Sequence, residues 1–125
     1  MDVKTVAQKA RIEAGSTIAV INPVPGVVES LGLPEDVRFV GPAEAQLVFL
    51  FVASRSELNE LMPSAVEGLS RESALWVFFR KGSKSAHPDM NRDDVWAIAE
   101  RMDLRPLGLV GIDERWSAFR LRRSR

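Results

Sequence analysis

Hydrophobic residues recur along the chain in two kinds of pattern, and their order outlines a fold. Leu47 to Val52 (LVFLFV) and Ala74 to Phe79 (ALWVFF) are apolar at every position. An apolar run of strand length without polar alternation predicts a strand covered on both faces. Thr17 to Ile21 (TIAVI), rich in β-branched residues and ended by Asn22-Pro23, predicts a third such strand, and Val37 to Val40 a short fourth. Helical spacing fills the intervals. Val3, Val6, Ala7, Ala10 and Ala14 form one stripe stopped by Gly15. Val24, Val27, Val28 and Leu31 form another, with Pro25 near its start and Gly32 just past its end. Ser54-Arg55-Ser56-Glu57 has the spacing of a capping box, in which Ser and Glu side chains satisfy backbone N–H groups that the first helical turn leaves orphaned. Leu58, Leu61, Met62, Ala65, Val66 and Leu69 continue that helix, and Pro63, which removes a backbone donor, predicts a kink or a split.

Asn91 is the expected cap of a further helix, with Asp93 and Asp94 in the first turn and Arg101 near the end, where each charge suits the helix dipole. Its apolar stripe is Val95, Ile98, Ala99 and Met102. Leu107 to Ile112 and Trp116 to Leu121, around Asp113-Glu114-Arg115, predict a closing hairpin. In its second arm Trp116, Ala118 and Arg120 alternate imperfectly with Ser117, Phe119 and Leu121, as expected near a sheet edge. Strands alternating with helices predict a parallel sheet with helices on both faces, to which the hairpin adds one antiparallel strand. The expectation is an α/β protein, a Rossmann-like three-layer sandwich, in one domain spanning residues 1–125. The sequence contains no internal repeat and no low-complexity linker.

Composition narrows the chemistry. With 125 residues the chain has room for one core. It contains no cysteine and a single histidine, His87, so disulfides, thiolate nucleophiles and Cys-ligated zinc are excluded and no metal or other cofactor is expected. No apolar stretch approaches the roughly 20 residues that span a bilayer, and the first 15 residues lack the apolar core of a signal peptide. A cytoplasmic protein with no membrane partner is the expectation. Formal charge is zero overall, but residues 1–70 carry 5 Lys and Arg against 9 Asp and Glu, whereas residues 71–125 carry 12 against 8. Such an asymmetry suits an anionic ligand or a charge-complementary self-contact. Part of the basic excess lies in the terminal RLRRSR, which reads equally as a solvated end or as a nucleic-acid grip.

The order of elements, closing with strand, helix, strand and an antiparallel last strand, resembles the fold of class I S-adenosylmethionine-dependent methyltransferases, shortened by one strand–helix unit after the second strand. That resemblance covers residues 17–121. ALWVFFRKGSKS together with LRPLGLVGIDERWSAFRLRR, ending in Asp113, Trp116, Ser117 and Ala118, is similar to a small bacterial family designated domain of unknown function 3052. The second resemblance implies a fold and a bacterial cytoplasmic origin but no activity. The first implies a glycine-rich turn after the first strand and an acid after the second to hold a ribose. Here those stretches read VINPVPGVV, with the single glycine Gly26, and VRFVGPAEA, where Glu44 comes four residues after Val40.

In parallel sheets, ligands sit at the C-terminal ends of the strands, where strand order reverses. That edge is expected to gather Asn22 and Pro23, Ser54 and Arg55, the loop Arg80 to Pro88 and the Asp113–Arg115 turn. Lys81-Gly82-Ser83-Lys84-Ser85 has a phosphate-binding composition but not the spacing of a P-loop. His87 is a candidate base that Asp113 would orient, or a turn residue before Pro88. Trp116 beside Arg115 is placed to stack on a planar ligand or to pack, Trp76 is expected in the core, and Trp96 is expected to cover the sheet or face a partner. The candidate ligand-binding set is therefore Asn22, Arg80, Lys81, Ser83, Lys84, His87, Asp113 and Trp116. No G-x-S-x-G surrounds Ser117, so hydrolase chemistry has no support. RWSAFRLRR interleaves basic and aromatic residues, yet a strand buries part of such a set, and nucleic acid is not the expected partner.

These readings converge on a noncatalytic ligand-binding or protein-interaction module, with a small anionic ligand or a protein as its partner. The alternative is a small transferase-like enzyme that binds an anionic or adenosyl ligand at the same edge. The exposed edge of the final hairpin adds the possibility of a homodimer.

Overall fold

The computed structural model describes residues 12, 15–24, 26, 33, 36–69, 72–80, 92–112 and 116–124. The first two predicted helices, residues 2–14 and 24–31, lie largely outside them, as do residues 81–91 and the turn 113–115. Six strands form one sheet: β1 (Thr17–Ile21), β2 (Arg38–Phe39), β3 (Leu47–Val52), β4 (Ala74–Arg80), β5 (Leu104–Gly111) and β6 (Trp116–Arg123). Their order is β2-β1-β3-β4-β6-β5. Strands β1 to β4 pair in parallel, and β6 runs antiparallel to both β4 and β5. This is the expected Rossmann-like architecture, mostly parallel with an antiparallel C-terminal strand.

The two uninterrupted apolar runs pair in register over their whole length, from Leu47 opposite Ala74 to Val52 opposite Phe79. Because successive side chains on a strand point to opposite faces, each run feeds two cores. One face is mainly aliphatic, with Phe79 and Phe119 among its buried residues. There Val48, Leu50, Val52, Leu75 and Val77 meet Leu58, Met62 and Ala65 of helix α1 (Arg55–Glu67) and Val95, Ile98 and Ala99 of helix α2 (Arg92–Arg101). The other face is aromatic, built from Phe49, Phe51, Trp76, Phe78 and Trp116 with Ile12 and Ile18. Phe51 stacks on Phe78 with ring centroids 4.4 Å apart, and Trp116 meets Phe51 edge-on at 5.9 Å.

Several local expectations are refined. Helix α1 runs unbroken through Pro63. Pro63 and Asn59, whose carbonyl loses its i+4 donor, are both on the exposed face of the helix, where the missing bond costs least. Strand β2 is only two residues long, because the chain turns at Gly41-Pro42 into a 3-10 turn (Pro42–Glu44) and reaches β3 without a helix. Strands β5 and β6 are each longer than their apolar residues indicate. The terminal arginines belong to β6, and Ile112 donates its N–H to Trp116 O at 3.0 Å to close the hairpin.

Arg123 is half-buried rather than a freely solvated end. It crosses to α1, where its Nε donates to Leu69 O at 2.7 Å and its Nη2 to Val66 O at 2.5 Å. Val66 belongs to the last turn of α1, where its carbonyl also accepts from Leu69 N at 3.0 Å, and Leu69 lies just past the cap Gly68; the last turn holds no basic residue of its own, so Arg123 brings positive charge to the helix C-terminus.

Candidate ligand site at the C-terminal edge of the sheet

Strand order reverses between β1 and β3, since the chain leaves β1 for β2 on one side and returns to β3 on the other. A crevice outside the carboxyl ends of β1 and β3 follows from that reversal. Asn22, the first residue past β1, bridges it. Its Nδ2 donates to Phe51 O at 2.8 Å and reaches Glu57 Oε1 at 3.4 Å.

Asn22 does this from a left-handed backbone, with φ of 57°. Asparagine tolerates that region better than most residues. Gly26 is also left-handed, at φ of 85°, and a Cβ placed on it would meet nothing within 4 Å among the described residues. The turn after β1 thus has two left-handed positions four residues apart, one occupied by Asn and one by Gly, with open space beside the second. A glycine count reveals the second; Asn22 is legible as a candidate from its place after a strand, but not its left-handed backbone. The signal available for the first was Asn before Pro, a turn-forming pair.

Glu57 enters from α1. Ser54 caps the helix, and its Oγ accepts from Glu57 N at 3.1 Å. Glu57 Oε1 in return accepts from the N–H of Ala53, at 2.7 Å, one residue earlier than the expected reciprocal partner. The helix start is thereby tied both to the end of β3 and to Asn22. Arg55 Nε extends the arrangement to α2, lying 3.3 Å from Asp94 Oδ1. The capping box was legible in the sequence, but Glu57's reach into the switch point was not, because it depends on a residue 35 positions away.

Of the other predicted site residues, Arg80 ends β4 opposite Trp116 in register. Trp116 is 6% exposed and packs on Phe51, so its indole serves the aromatic core. Lys81, Ser83, Lys84, His87 and Asp113 lie outside the described residues. Glu44 lies at the other edge: its carbonyl accepts from Thr17 Oγ1 at 3.4 Å, beside the first residue of β1. The crossover made without a helix has already carried the chain back there. Among the described residues no group of three or more His, Asp or Glu is placed to hold a metal, and no helix is long and apolar enough to cross a membrane.

No family profile matches the chain, and neither does any curated protein. Solved structures do. The chain is similar to the tRNA methyltransferase TrmK of B. subtilis, with 11% identity and a TM-score of 0.57, covering 98% of this chain and 67% of that one. It is similar to the ribosomal protein L11 methylase of Lactobacillus delbrueckii subsp. bulgaricus, with 12% identity and a TM-score of 0.56, covering 94% and 74%. It is also similar to LepI in complex with SAH and a substrate analogue, with 14% identity and a TM-score of 0.55; the match covers 94% of this chain but 38% of LepI. At such identities the likeness is one of fold, and the fold is that of methyltransferase-like Rossmann domains.

Proposed function

We propose that this chain binds an adenosyl compound, S-adenosylmethionine or its demethylated product, at the C-terminal edge of the sheet, as a small transferase-like domain. The observation that carries the reading is the switch point between β1 and β3. There, two left-handed residues shape the turn and open space lies beside Gly26. The fold it shares with methyltransferases adds support. In this reading Asn22 fixes the turn, and the loop from Arg80, with Lys81, Ser83, Lys84 and His87, supplies cationic and hydroxyl groups to the ligand's carboxylate or to an anionic substrate. Asp113 would add a carboxylate to the same site, and Trp116 supports it by packing. The similarity to the bacterial domain of unknown function 3052, carried by Asp113, Trp116, Ser117 and Ala118, is compatible with this role and with a cytoplasmic setting.

The test is thermal unfolding of the full chain with S-adenosylmethionine, S-adenosylhomocysteine, adenosine and ATP. A ligand at 100 times its Kd that binds only the folded state contributes about 2.7 kcal/mol. For a chain of this size that raises Tm by roughly 10 °C. A rise with adenosyl compounds that is lost in the Lys81→Ala/Lys84→Ala variant assigns the loop to the site. No rise with any of them overturns the proposal.

A second reading is favoured by one observation. Trp96, Leu107 and Leu109, three large apolar residues exposed by 40% or more, line one groove with Phe119 along the edge strand β5. Exposed apolar surface on a sheet edge invites pairing with a second copy of the chain.

A further inference from the structure

Strand β5 is the outermost of the sheet on its side, so one row of its backbone groups faces no neighbouring strand. Which residues form that row follows from the hairpin. Ile112 donates its N–H to Trp116 O at 3.0 Å, and the same register sets Val110 opposite Ala118 and Gly108 opposite Arg120. In an antiparallel pair, residues that exchange backbone hydrogen bonds alternate with residues whose N–H and C=O point away. Gly108, Val110 and Ile112 therefore face β6, and Leu109 and Gly111 turn their backbone groups to the open edge. Pro106, which has no N–H, precedes them beside the irregularity between Pro106 and Gly108.

The side chains on this edge are apolar as well. Leu109 lies opposite Phe119, a member of the core beneath the helices, so it stands on the helix-covered face. There it lines a groove of about 480 Å³ with Leu107 and Trp96. Trp96 is held in place by an edge contact with the Phe119 ring at 6.0 Å and by its Nε1, which donates to Glu100 Oε1. An ordered, half-exposed indole among leucines is the kind of residue that anchors interfaces. Sheet edges are commonly guarded by charge, yet from Pro106 to Ile112 the chain carries none.

We infer that two copies of the chain pair β5 to β5 in antiparallel, with Leu109 of one copy opposite Leu109 of the other, joining the two six-stranded sheets into one. This rests on the self-association reading above and adds its register. A two-fold contact sets a residue opposite itself at the centre and makes every other pairing reciprocal. With Leu109 at the centre, Leu107 meets Gly111 of the other copy, so a large side chain faces a residue that has none. The open N–H and C=O groups of Leu109 also find each other. In the sequence, Arg105 and Asp113 stand four residues to either side of Leu109 with opposite charges, so this register opposes unlike charges. Sliding the copies by two residues would set Asp113 opposite Asp103 in one direction and opposite Leu107 in the other.

The chain contains no cysteine, so single engineered cysteines report the register. Cα atoms of a directly opposed hydrogen-bonded pair lie about 5.5 Å apart, within the span of a disulfide. On mild oxidation of the full chain at high micromolar concentration, Leu109→Cys should form a covalent dimer, doubling its mass on a denaturing gel without reductant. Leu107→Cys alone and Gly111→Cys alone should keep the single-chain mass, whereas an equal mixture of the two should cross-link. All three positions are exposed, so the substitutions leave the core intact. The mixture retains Leu109 and so keeps the test decisive if Leu109→Cys loosens the contact. Light scattering before oxidation separates the two ways of failing. A chain that stays single at every concentration overturns self-association and register together. Dimers that cross-link through Leu107→Cys alone, or not at all in the mixture, overturn the register and leave self-association standing.

Discussion

Replacing Asn22 separates two contributions that its position combines. The side chain holds Phe51 O at 2.8 Å across the switch point, and the backbone is left-handed at 57°. Asn22→Ala removes the hydrogen bond, worth about 0.5–1.5 kcal/mol net, and forces alanine into a region that costs it roughly 1–2 kcal/mol. A loss of about 2 kcal/mol is expected. Asn22→Gly removes the same bond but relieves the backbone, and the relief offsets most of the loss, leaving less than about 1 kcal/mol. Urea denaturation measures both. With a slope of about 1–3 kcal/mol/M for a small protein, the alanine midpoint should fall by roughly 1 M and the glycine midpoint by less than half of that. Asn22→Asp adds a third arm. Its carboxylate would face Phe51 O and Glu57, which disfavours the charged form and raises its folded-state pKa above the unfolded value. Between those two pKa values the folded state binds more protons, so this variant should lose stability as pH rises through that window, relative to the parent chain. Equal midpoints for alanine and glycine would refute the backbone argument, and an alanine variant as stable as the parent would refute both.

Two further predictions rest on other parts of the fold. Arg123→Met keeps the aliphatic stem but removes both bonds to Leu69 O and Val66 O, and should destabilise the chain by about 1–3 kcal/mol in urea unfolding, with faster amide exchange in the last turn of α1. An unchanged midpoint would show that water replaces Arg123 at no cost. For the β5 edge, light scattering at high micromolar concentration should give twice the 13.9 kDa chain mass, and Leu109→Asp should return the single-chain mass. A parent chain that stays at 13.9 kDa at every concentration excludes self-association through that groove.

The sequence made the buried frame legible wherever burial alone determines structure. LVFLFV and ALWVFF became β3 and β4 because strands covered on both faces have no polar side to record. The Ser54–Glu57 spacing located the start of α1 because capping is local. What stayed hidden depends on partners far along the chain. Arg123 reads as part of a basic tail until α1, 54 residues earlier, presents its carbonyls. Arg120 reads as one polar residue in an uneven alternation until Trp76 is set opposite. The candidate site divided along the same line. Asn22 was identified from its place after a strand, whereas the contribution of Glu57 required knowing that β1 and β3 are neighbours.

The short β2 has a chemical consequence for the adenosyl reading. An acid placed just after the second strand would stand at the ligand edge, but here Gly41-Pro42 turns the chain at once, and Glu44 is held beside Thr17 at the far edge. Ribose hydroxyls at the switch point would therefore need another acceptor. Among the described residues, the carboxylate that reaches Asn22 is Glu57. Its Oε1 is engaged by Ala53 N and Asn22 Nδ2, which leaves Oε2 as the acceptor that can turn toward the crevice. The residue that caps α1 would then also hold the ligand, so that binding and the helix start share one side chain.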